Sequence, residues 1–584
     1  MHAQWSDLDM DKLFASVTQP AQSAMQGAME QLTGDPLANY AELYGTLLKD
    51  YENNQRVWLD LQNAYLQGQM QLWMNLVGAN VPDGQRIEVA AAEKGDKRFA
   101  APEWNEYPLF DYIKQSYLLT SKMLVQAVEN AHLDDDTKKK MAFFTKQFID
   151  AMSPSNYAAT NPEVLRIAME TKGESVATGL KNLLADLEKG RISMTDESAF
   201  EVGKNLAVTP GSVVFENELI QLLQYAPSTD AVYARPLLMV PPCINKFYIM
   251  DLQPDNSFVR YAVEQGHTAF LISWRNIDAT TQHLTWDDYL GKGVIQAMEV
   301  VREISGQETV NALGFCIGGT LLTSALAVLE TQGKHRAESL TLMAALLEFS
   351  DVGDIGVYVD PAFVEGREQL YKDGGIVPGR ELALAFSSLR ANDLIWSYVV
   401  NNYLKGRAPD AFDLLYWNGD ATNLPGPMFA YYLRNTYLEN NLVKPGYLTM
   451  CGTPVDLGRV DMPAYVLATI DDHIVPWRAA YQGARHLGSE PRFMLGASGH
   501  IAGCMNSARK NRRNYWTGGA LTDGADDWYR DAESVPGSWW NDWAAWLKDF
   551  GGEQIKARTK LGSRQYKPIE PAPGRYVRAR AAKA

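Results

Sequence analysis

Residues 310–329 read VNALGFCIGGTLLTSALAVL, an apolar run interrupted by a glycine-rich turn around a single cysteine. Val310 to Phe315 is a β-branched and apolar run, which reads as a buried strand. The chain then turns at Gly314-Phe315-Cys316-Ile317-Gly318-Gly319 and continues as an apolar helix. Strand, sharp turn and helix, with small residues two positions before and after one nucleophile, are the parts of a nucleophile elbow. Glycine on both sides lets strand and helix approach, and the turn holds the nucleophile in strained backbone geometry. The nucleophile position carries Cys316, and the helix N-terminus beneath it favours a thiolate. Thr309 to Leu329 contains no charged residue and has the length of a membrane span. Two adjacent glycines, the strand-like half and the polar Asn311, Thr320, Thr323 and Ser324 argue against that reading. The plainer alternative is a buried structural cysteine, because G-x-C-x-G is short and needs its context to mean anything.

At 584 residues the chain has room for two or three domains. Its 46% apolar and 21% charged content is that of an ordinary globular protein. A net charge of −16, with no basic interleaving of the aromatic residues, argues against a nucleic-acid partner. The opening MHAQWSDLDMDKLFASV lacks the basic start and apolar core of a signal peptide. Cys243, Cys316, Cys451 and Cys504 are scattered, with neither a C-x-x-C nor a Cys/His cluster, so no metal and no disulfide framework is expected. The expectation is a cytoplasmic protein with reduced thiols and no integral membrane span.

Working outward from the elbow, the chain changes rhythm three times. Residues 1–205 are rich in Ala, Gln, Met and Leu at helical spacing, as in Tyr51 to Leu76, and read as an all-helical N-terminal accessory domain. Further helices are expected over Tyr112 to Ala131 and Asp136 to Met152, with Asn161-Pro162-Glu163 starting another. The Met- and Gln-rich stripes of Met25 to Met74 read as core and partner faces. Residues 206–555 alternate strand, loop and helix: Pro236 to Val240, Thr268 to Trp274, the helix Asp287 to Ile304, the elbow, then Leu340 to Leu347. Such alternation predicts a mostly parallel, helix-covered sheet, an α/β fold. From about 350 to 461 the chain is aromatic and loop-rich, which reads as a cap or lid inserted over the site. Strands resume at Ala464 to Thr469 and Pro491 to Leu495. The Trp-rich stretch Trp539 to Leu547 reads as a last helix packed on the sheet, and 556–584 as a basic, extended and weakly ordered tail.

Two further motifs supply partners for Cys316. Asp472, in Ile470-Asp471-Asp472-His473-Ile474-Val475-Pro476, stands in the loop after a late strand. His500, in Ala497-Ser498-Gly499-His500-Ile501-Ala502-Gly503, stands on a small-residue loop after the last of these strands. Cys316, Asp472 and His500 follow the nucleophile–acid–base order of the α/β-hydrolase fold. His473 adjoins Asp472 but would point away from it, and Asp471 reads as a solvated neighbour. His486, His267, His283 and Cys504 lack a supporting motif. Oxyanion donors are expected from the backbone N–H of Ile317 and from the loop after Val240, around Cys243 to Asn245. Close behind His500, Arg509-Lys510-Asn511-Arg512-Arg513 is the densest basic run, and Arg512 and Arg513 are candidates for holding phosphates. A solvated face, or a partner for Asp526 and Asp527, explains the same run.

These motifs, quoted as PPCINKFYIMDL (241–252), SWRN (273–276), GFCIGGT (314–320), FDLLYWNGDATNLPGP (412–427), DDHIVPW (471–477) and GASGHIAG (496–503), resemble those of class I polyhydroxyalkanoate synthases. KRFAAPEWNEYPLFDYIKQSYLL (97–119) resembles that family's N-terminal domain, and the first ninety or so residues match only in helical character. The resemblance implies polymerisation of (R)-3-hydroxyacyl-CoA, short-chain monomers such as 3-hydroxybutyryl-CoA included, into polyester with release of CoA and without cofactor or metal. It implies Cys316 as nucleophile, His500 as base and Asp472 as third member. It also implies a homodimer and association with polymer granules and their proteins. A thioesterase or polyester depolymerase would use the same fold, and a non-enzymatic polymer binder would explain the helical half but not the ordered triad.

Overall fold

The computed structural model of the protein describes residues 45–47, 49–78, 87–519, 521 and 524–581. The reading of the N-terminal segment, and the part of the Met25 to Met74 stripe before residue 45, lie outside the described residues. The chain divides into two compact units, one of Met1–Asp196 with Leu384–Ala411, the other of Glu197–Ala383 with Phe412–Ala584.

The first unit is helical among its described residues. Helix α1 (Gln55–Val77) ends on Gly78 at φ 72°, the left-handed turn that glycine takes without a Cβ clash. Helix α2 (Pro108–Glu129) packs along it, with the Gln69 amide donating to Ser116 Oγ at 3.0 Å. Helix α3 (Asp135–Ala151) is capped by Asp134, which accepts the Thr137 N–H. Helix α4 (Pro162–Glu170) has proline in its first turn and Asn161 as its cap, accepting from Glu163 and Val164 as the sequence predicts. Helix α5 (Glu174–Lys189) completes the set. The core of this unit takes Ala391, Ile395, Trp396, Val399 and Tyr403 from far along the chain, packed on Ala151 and Leu183. Polar ties fix that segment: Tyr403 OH donates to Asp186 at 2.7 Å and Lys405 pairs with Glu163 at 2.7 Å. A Cβ on Gly179 would stand 1.9 Å from the Tyr403 carbonyl oxygen, so glycine permits the close approach.

The second unit is built on one long sheet. Its strands are β1 (Gly211–Glu216), β2 (Ile220–Tyr225), β3 (Leu237–Val240), β4 (Ala269–Trp274), β5 (Val310–Phe315), β6 (Ala337–Met343), β7 (Ala464–Thr469), β8 (Arg492–Gly496), β9 (Asn514–Thr517), β10 (Glu533–Pro536) and β11 (Glu570–Pro571). They lie in the order β10-β9-β8-β7-β6-β5-β3-β4-β2-β1-β11. The central run from β4 through β3, β5, β6 and β7 to β8 is parallel, and the strands outside it pair antiparallel. The parallel strands β3, β4, β5 and β7 are buried along their whole length, as strands covered on both faces must be.

Against this sheet pack α6 (Phe258–Glu264), α7 (Gln296–Ser305), α8 (Ile317–Thr331), α9 (Trp477–Ala484), α10 (His500–Cys504) and α11 (Trp539–Lys548). Trp539, Trp540 and Trp543 of α11 are fully buried around Phe258. Each such side chain removed from water contributes about 1.5–3 kcal/mol. Their indole N–H groups are satisfied as well: Trp539 donates to Gly503 O at 3.1 Å, Trp540 to Cys504 O at 2.9 Å and Trp543 to Thr341 Oγ1 at 3.1 Å. Two of these bonds hold the C-terminal end of α10, the helix that begins with His500.

The helix expected from Asp287 to Ile304 is present and contains a π-helical stretch, Tyr289–Ile295. Two other expectations need correction. The strand expected to reach Leu347 ends at Met343, because Ala344 takes φ 42° and leaves the ladder. The tail expected to be weakly ordered instead adds β11 to the outer edge of β1, pairing Ser212 with Pro571 and Val213 with Glu570. Within it Arg575 is bonded to Glu570 at 2.8 Å and to Glu216. Tyr576 OH donates to Asn217 O at 2.8 Å and Val577 is buried. Among the described residues no helix is long and apolar enough to cross a membrane.

Candidate active site

Cys316 sits between β5 and α8 with φ 54° and ψ −132°, a left-handed conformation that is costly for a residue with a Cβ. Its N–H is held by Met343 O at 2.9 Å, and its own carbonyl accepts the Gly319 N–H at 2.8 Å. The glycines around it are there for contact. A Cβ on Gly314 would lie 2.4 Å from Gly319 Cα, and one on Gly318 would lie 2.3 Å from Val240 O and 2.6 Å from Pro241 O. Strand, helix and the loop after β3 therefore converge at the elbow, which brings Cys243 and Ile317 to it. Ile317 is the first residue of α8, where an N–H has no acceptor inside its own helix.

The loops after β7 and β8 deliver the partners. His500 Nδ1 meets Asp472 Oδ2 at 2.7 Å, with both side chains buried. A carboxylate only accepts, so Nδ1 carries the proton and the other ring nitrogen is left for Cys316. Asp472 has no spare capacity: Oδ2 also accepts from Thr469 Oγ1 at 3.1 Å, and Oδ1 accepts the N–H groups of Ile474 and Val475 at 2.9 and 2.8 Å. Burial works to raise the Asp472 carboxyl, but the His500 cation and these donors outweigh it and hold it below the usual carboxylate range. Burial opposes the His500 imidazolium too, but the charges of Asp472 and Cys316 dominate and push it up to about 10. The Phe315 ring stacks on that of His500 at 5.6 Å and 24°.

The other cysteines differ in environment. Cys243 and Cys504 are buried, and burial drives both thiols well above the ordinary range, whereas Cys316 is partly open. Cys243 stands close enough to Cys316 for a charge there to help burial in raising the Cys243 thiol. The loop bearing Cys243 is pinned beyond it: Lys246 is buried, its Nζ donates to Ala579 O at 2.5 Å and its carbonyl accepts the Trp417 indole N–H at 2.7 Å.

Of the remaining candidates, Asp471 is exposed, His283 is exposed, and His267 is buried against Tyr233, where burial lowers it to about 4. His486 bonds Glu348 at 3.0 Å. Arg513 donates to Ala502 O on the His500 helix, while Arg512 is exposed. Arg509 is committed to Glu264 at 2.6 Å and Asp255 at 3.4 Å. Thr469 and Phe315 were not singled out from sequence. Their only signals are positional, Thr469 closing the strand before the acid loop and Phe315 preceding the nucleophile.

A thiol on a strained turn, an imidazole beside it and a buried carboxylate behind suit acyl transfer through a covalent thioester. The comparisons with known proteins agree on the kind of chain. The model of the poly-beta-hydroxybutyrate polymerase (PhaC) N-terminus matches residues 95–262, and that of the alpha/beta hydrolase fold matches residues 236–503. The poly(3-hydroxyalkanoate) polymerase subunit PhaC of Cupriavidus necator is 50% identical over 527 residues, covering 89% of this chain and 88% of that one. The subunit of the same name from Rhizobium meliloti is 39% identical over 560 residues, covering 94% and 91%. The poly(3-hydroxyalkanoate) polymerase of Methylorubrum extorquens is 40% identical over 579 residues, covering 97% and 95%.

Proposed function

Because this chain belongs to the poly(3-hydroxyalkanoate) polymerase (PhaC) family, we propose that it polymerises (R)-3-hydroxyacyl-CoA units through an acyl thioester on Cys316. His500 takes the Cys316 proton, the thiolate attacks the thioester carbonyl, and CoA leaves as a thiol carrying the proton back from the imidazolium. One thioester replaces another, so this step costs little. The hydroxyl of a second hydroxyacyl group then attacks the acyl-Cys carbonyl. An oxoester forms, the hydroxyl proton passes to His500, and Cys316 is released as the leaving group. Free cysteine is only a few per cent thiolate at neutral pH, so the adjacent imidazole is needed. The backbone N–H groups of Ile317 and Cys243 would hold the developing oxyanion.

The observation that carries the proposal is the strained Cys316 at the head of α8 with the 2.7 Å His500–Asp472 contact behind it. The saturated Asp472 favours a role in orienting His500 over one as the base for the incoming hydroxyl. Short-chain monomers such as 3-hydroxybutyryl-CoA, a homodimeric assembly, a cytoplasmic location and attachment to polyester granules with their associated proteins belong to the same proposal. So does an accessory role for the helical unit in association and polymer contact, which its exposed Leu59, Leu66, Met70 and Trp73 support. The test is incubation with labelled 3-hydroxybutyryl-CoA, following CoA release, insoluble polymer and the residue that carries label. Cys316→Ala should abolish all three while the protein stays folded. Label on Cys504, or monomer release without polymer, would refute it.

A further inference from the structure

Glu348 lies just beyond β6, where the chain leaves the sheet for the 350–461 insertion. It is buried, and it meets the Ser350 N–H, the Asn440 amide and the His486 ring, each of which can donate to it. Oε1 accepts the Ser350 N–H at 2.9 Å and the Asn440 side-chain amide. Oε2 meets His486 Nε2 at 3.0 Å, just past α9. Asn440 returns the contact, its Oδ1 accepting the Phe349 N–H at 3.0 Å. To do so Asn440 stands at φ 47°, in the left-handed region that asparagine tolerates better than most residues. Three remote pieces of chain are thus tied at one carboxylate: the segment that enters the insertion, the later segment at Asn440, and the end of α9. Burial works against the Glu348 carboxylate, but His486, Ser350 and Asn440 hold it down at about 2.

The knot adjoins an aromatic cluster that lies within reach of the charge of Cys316. Phe349 packs edge-on against Tyr437 at 5.2 Å and Tyr432 at 6.2 Å, and these two tyrosines meet each other at 5.5 Å. Both are buried deeply enough that burial is the main influence on their hydroxyls, and both feel the charge of Cys316. Phe349 is itself part of this cluster and its N–H is held by Asn440, which follows Tyr437 closely in the chain, so the Glu348 knot sets where the cluster sits. We infer that Glu348, through Asn440 and Phe349, is a positioning residue that holds the Phe349–Tyr432–Tyr437 wall against the acyl-enzyme and keeps water from it. Its chemical consequence is a partition. The acyl group on Cys316 passes either to a hydroxyl of the next monomer, giving an ester, or to water, giving the free hydroxy acid. In both branches Cys316 leaves with the proton delivered through His500. A loosened wall admits water and moves the balance.

The inference rests on the acyl-Cys316 reading, and the experiment separates the two. Full-length protein is given labelled 3-hydroxybutyryl-CoA, and free 3-hydroxybutyrate, polymer and protein-bound label are measured for each CoA released. Glu348→Ala and Asn440→Ala should each raise the ratio of free acid to polymer by about threefold to tenfold, the range of one ordinary hydrogen bond's net contribution. Their double variant should not exceed the larger single effect by more than about twofold, because they cut the same knot. Glu348→Gln, which keeps an acceptor for Ser350 and Asn440, should stay near the wild-type ratio. The ratio does not depend on how much enzyme is folded, so simple destabilisation leaves it unmoved. Label absent from Cys316 overturns the parent reading. Label on Cys316 with an unchanged ratio in both alanine variants overturns this inference alone.

Discussion

Gly318→Ala puts a single methyl group into the closest backbone contact of the elbow. That carbon would stand 2.3 Å from Val240 O and 2.6 Å from Pro241 O. A Cβ essentially never approaches within 3.0 Å and ordinary contact starts at 3.4 Å, so relief requires about 0.7–1.1 Å of movement. Both obstacles are main chain, and no rotamer change can clear them. Overpacking of this sort costs about 1–3 kcal/mol, and a clash with two carbonyls belongs at the upper end. In a unit of this size that is a shift of a few degrees in Tm. The larger effect is on turnover. The loop after β3 must withdraw from the head of α8, separating the N–H of Cys243 from that of Ile317. Loss of one oxyanion donor costs about 10²–10³ in kcat. The assay is CoA release under saturating 3-hydroxybutyryl-CoA, beside a thermal melt. Gly366→Ala is the control: it lies in the helix Pro361–Tyr371 with nothing within 4 Å of the added methyl, and it should gain up to about 1 kcal/mol and keep full activity. Wild-type kcat in Gly318→Ala with an unshifted melt would refute the reasoning.

Removing the charge of Asp472 gives a pH signature. The raised His500 contributes stability that is fully present below its unfolded value of about 6.5 and is lost as pH rises through about 10, while the lowered Asp472 contributes stability present above about 3.9 and lost as pH falls through its folded value. The denaturation midpoint of wild type over Asp472→Asn should therefore be highest between about pH 4 and 6.5 and shrink toward pH 10, and a gap that widens with pH would be contrary evidence. For Arg512→Ala, KM for the CoA substrate should rise with kcat nearly intact, and the defect should fade at 1 M salt, where the Debye length is roughly 3 Å. An unchanged KM at low salt leaves Arg512 as a surface residue. Trp540→Phe keeps the ring but loses the bond to Cys504 O, and should cost about 1–2 kcal/mol in denaturant unfolding with a matching fall in activity as α10 loosens.

The catalytic half was legible where its signals are local. The elbow needs glycine at Gly314 and Gly318 for steric reasons that leave a mark in sequence, and the strands feeding it are continuous apolar runs. What stayed illegible depends on partners far along the chain. Strand β2 contains Gln221 and Gln224, which break the apolar pattern, yet both are buried. They are satisfied by Glu216, Glu570 and the Gly562 N–H, none of which composition can foresee. Residues 384–411 look like more of the aromatic insertion, and only their packing on α3 and α5 assigns them to the helical unit. The tail was misjudged for the same reason, since Pro and Arg report local propensity and the bonds that order it come from β1 and β2. The Glu348 knot joins positions 348, 440 and 486, and no spacing rule connects them.

The eleventh strand has a consequence for the order in which the molecule can be completed. Every other strand of the sheet is synthesised before β11, and the carbonyl that anchors the buried Lys246 belongs to Ala579, later still. Until those residues arrive, β1 offers an unpaired edge and the loop carrying Cys243 lacks its anchor. Docking of the one segment that holds Glu570 and Ala579 therefore closes the sheet edge and fixes the loop of Cys243 together, so the rim of the sheet and the neighbourhood of Cys316 are completed by the same piece of chain.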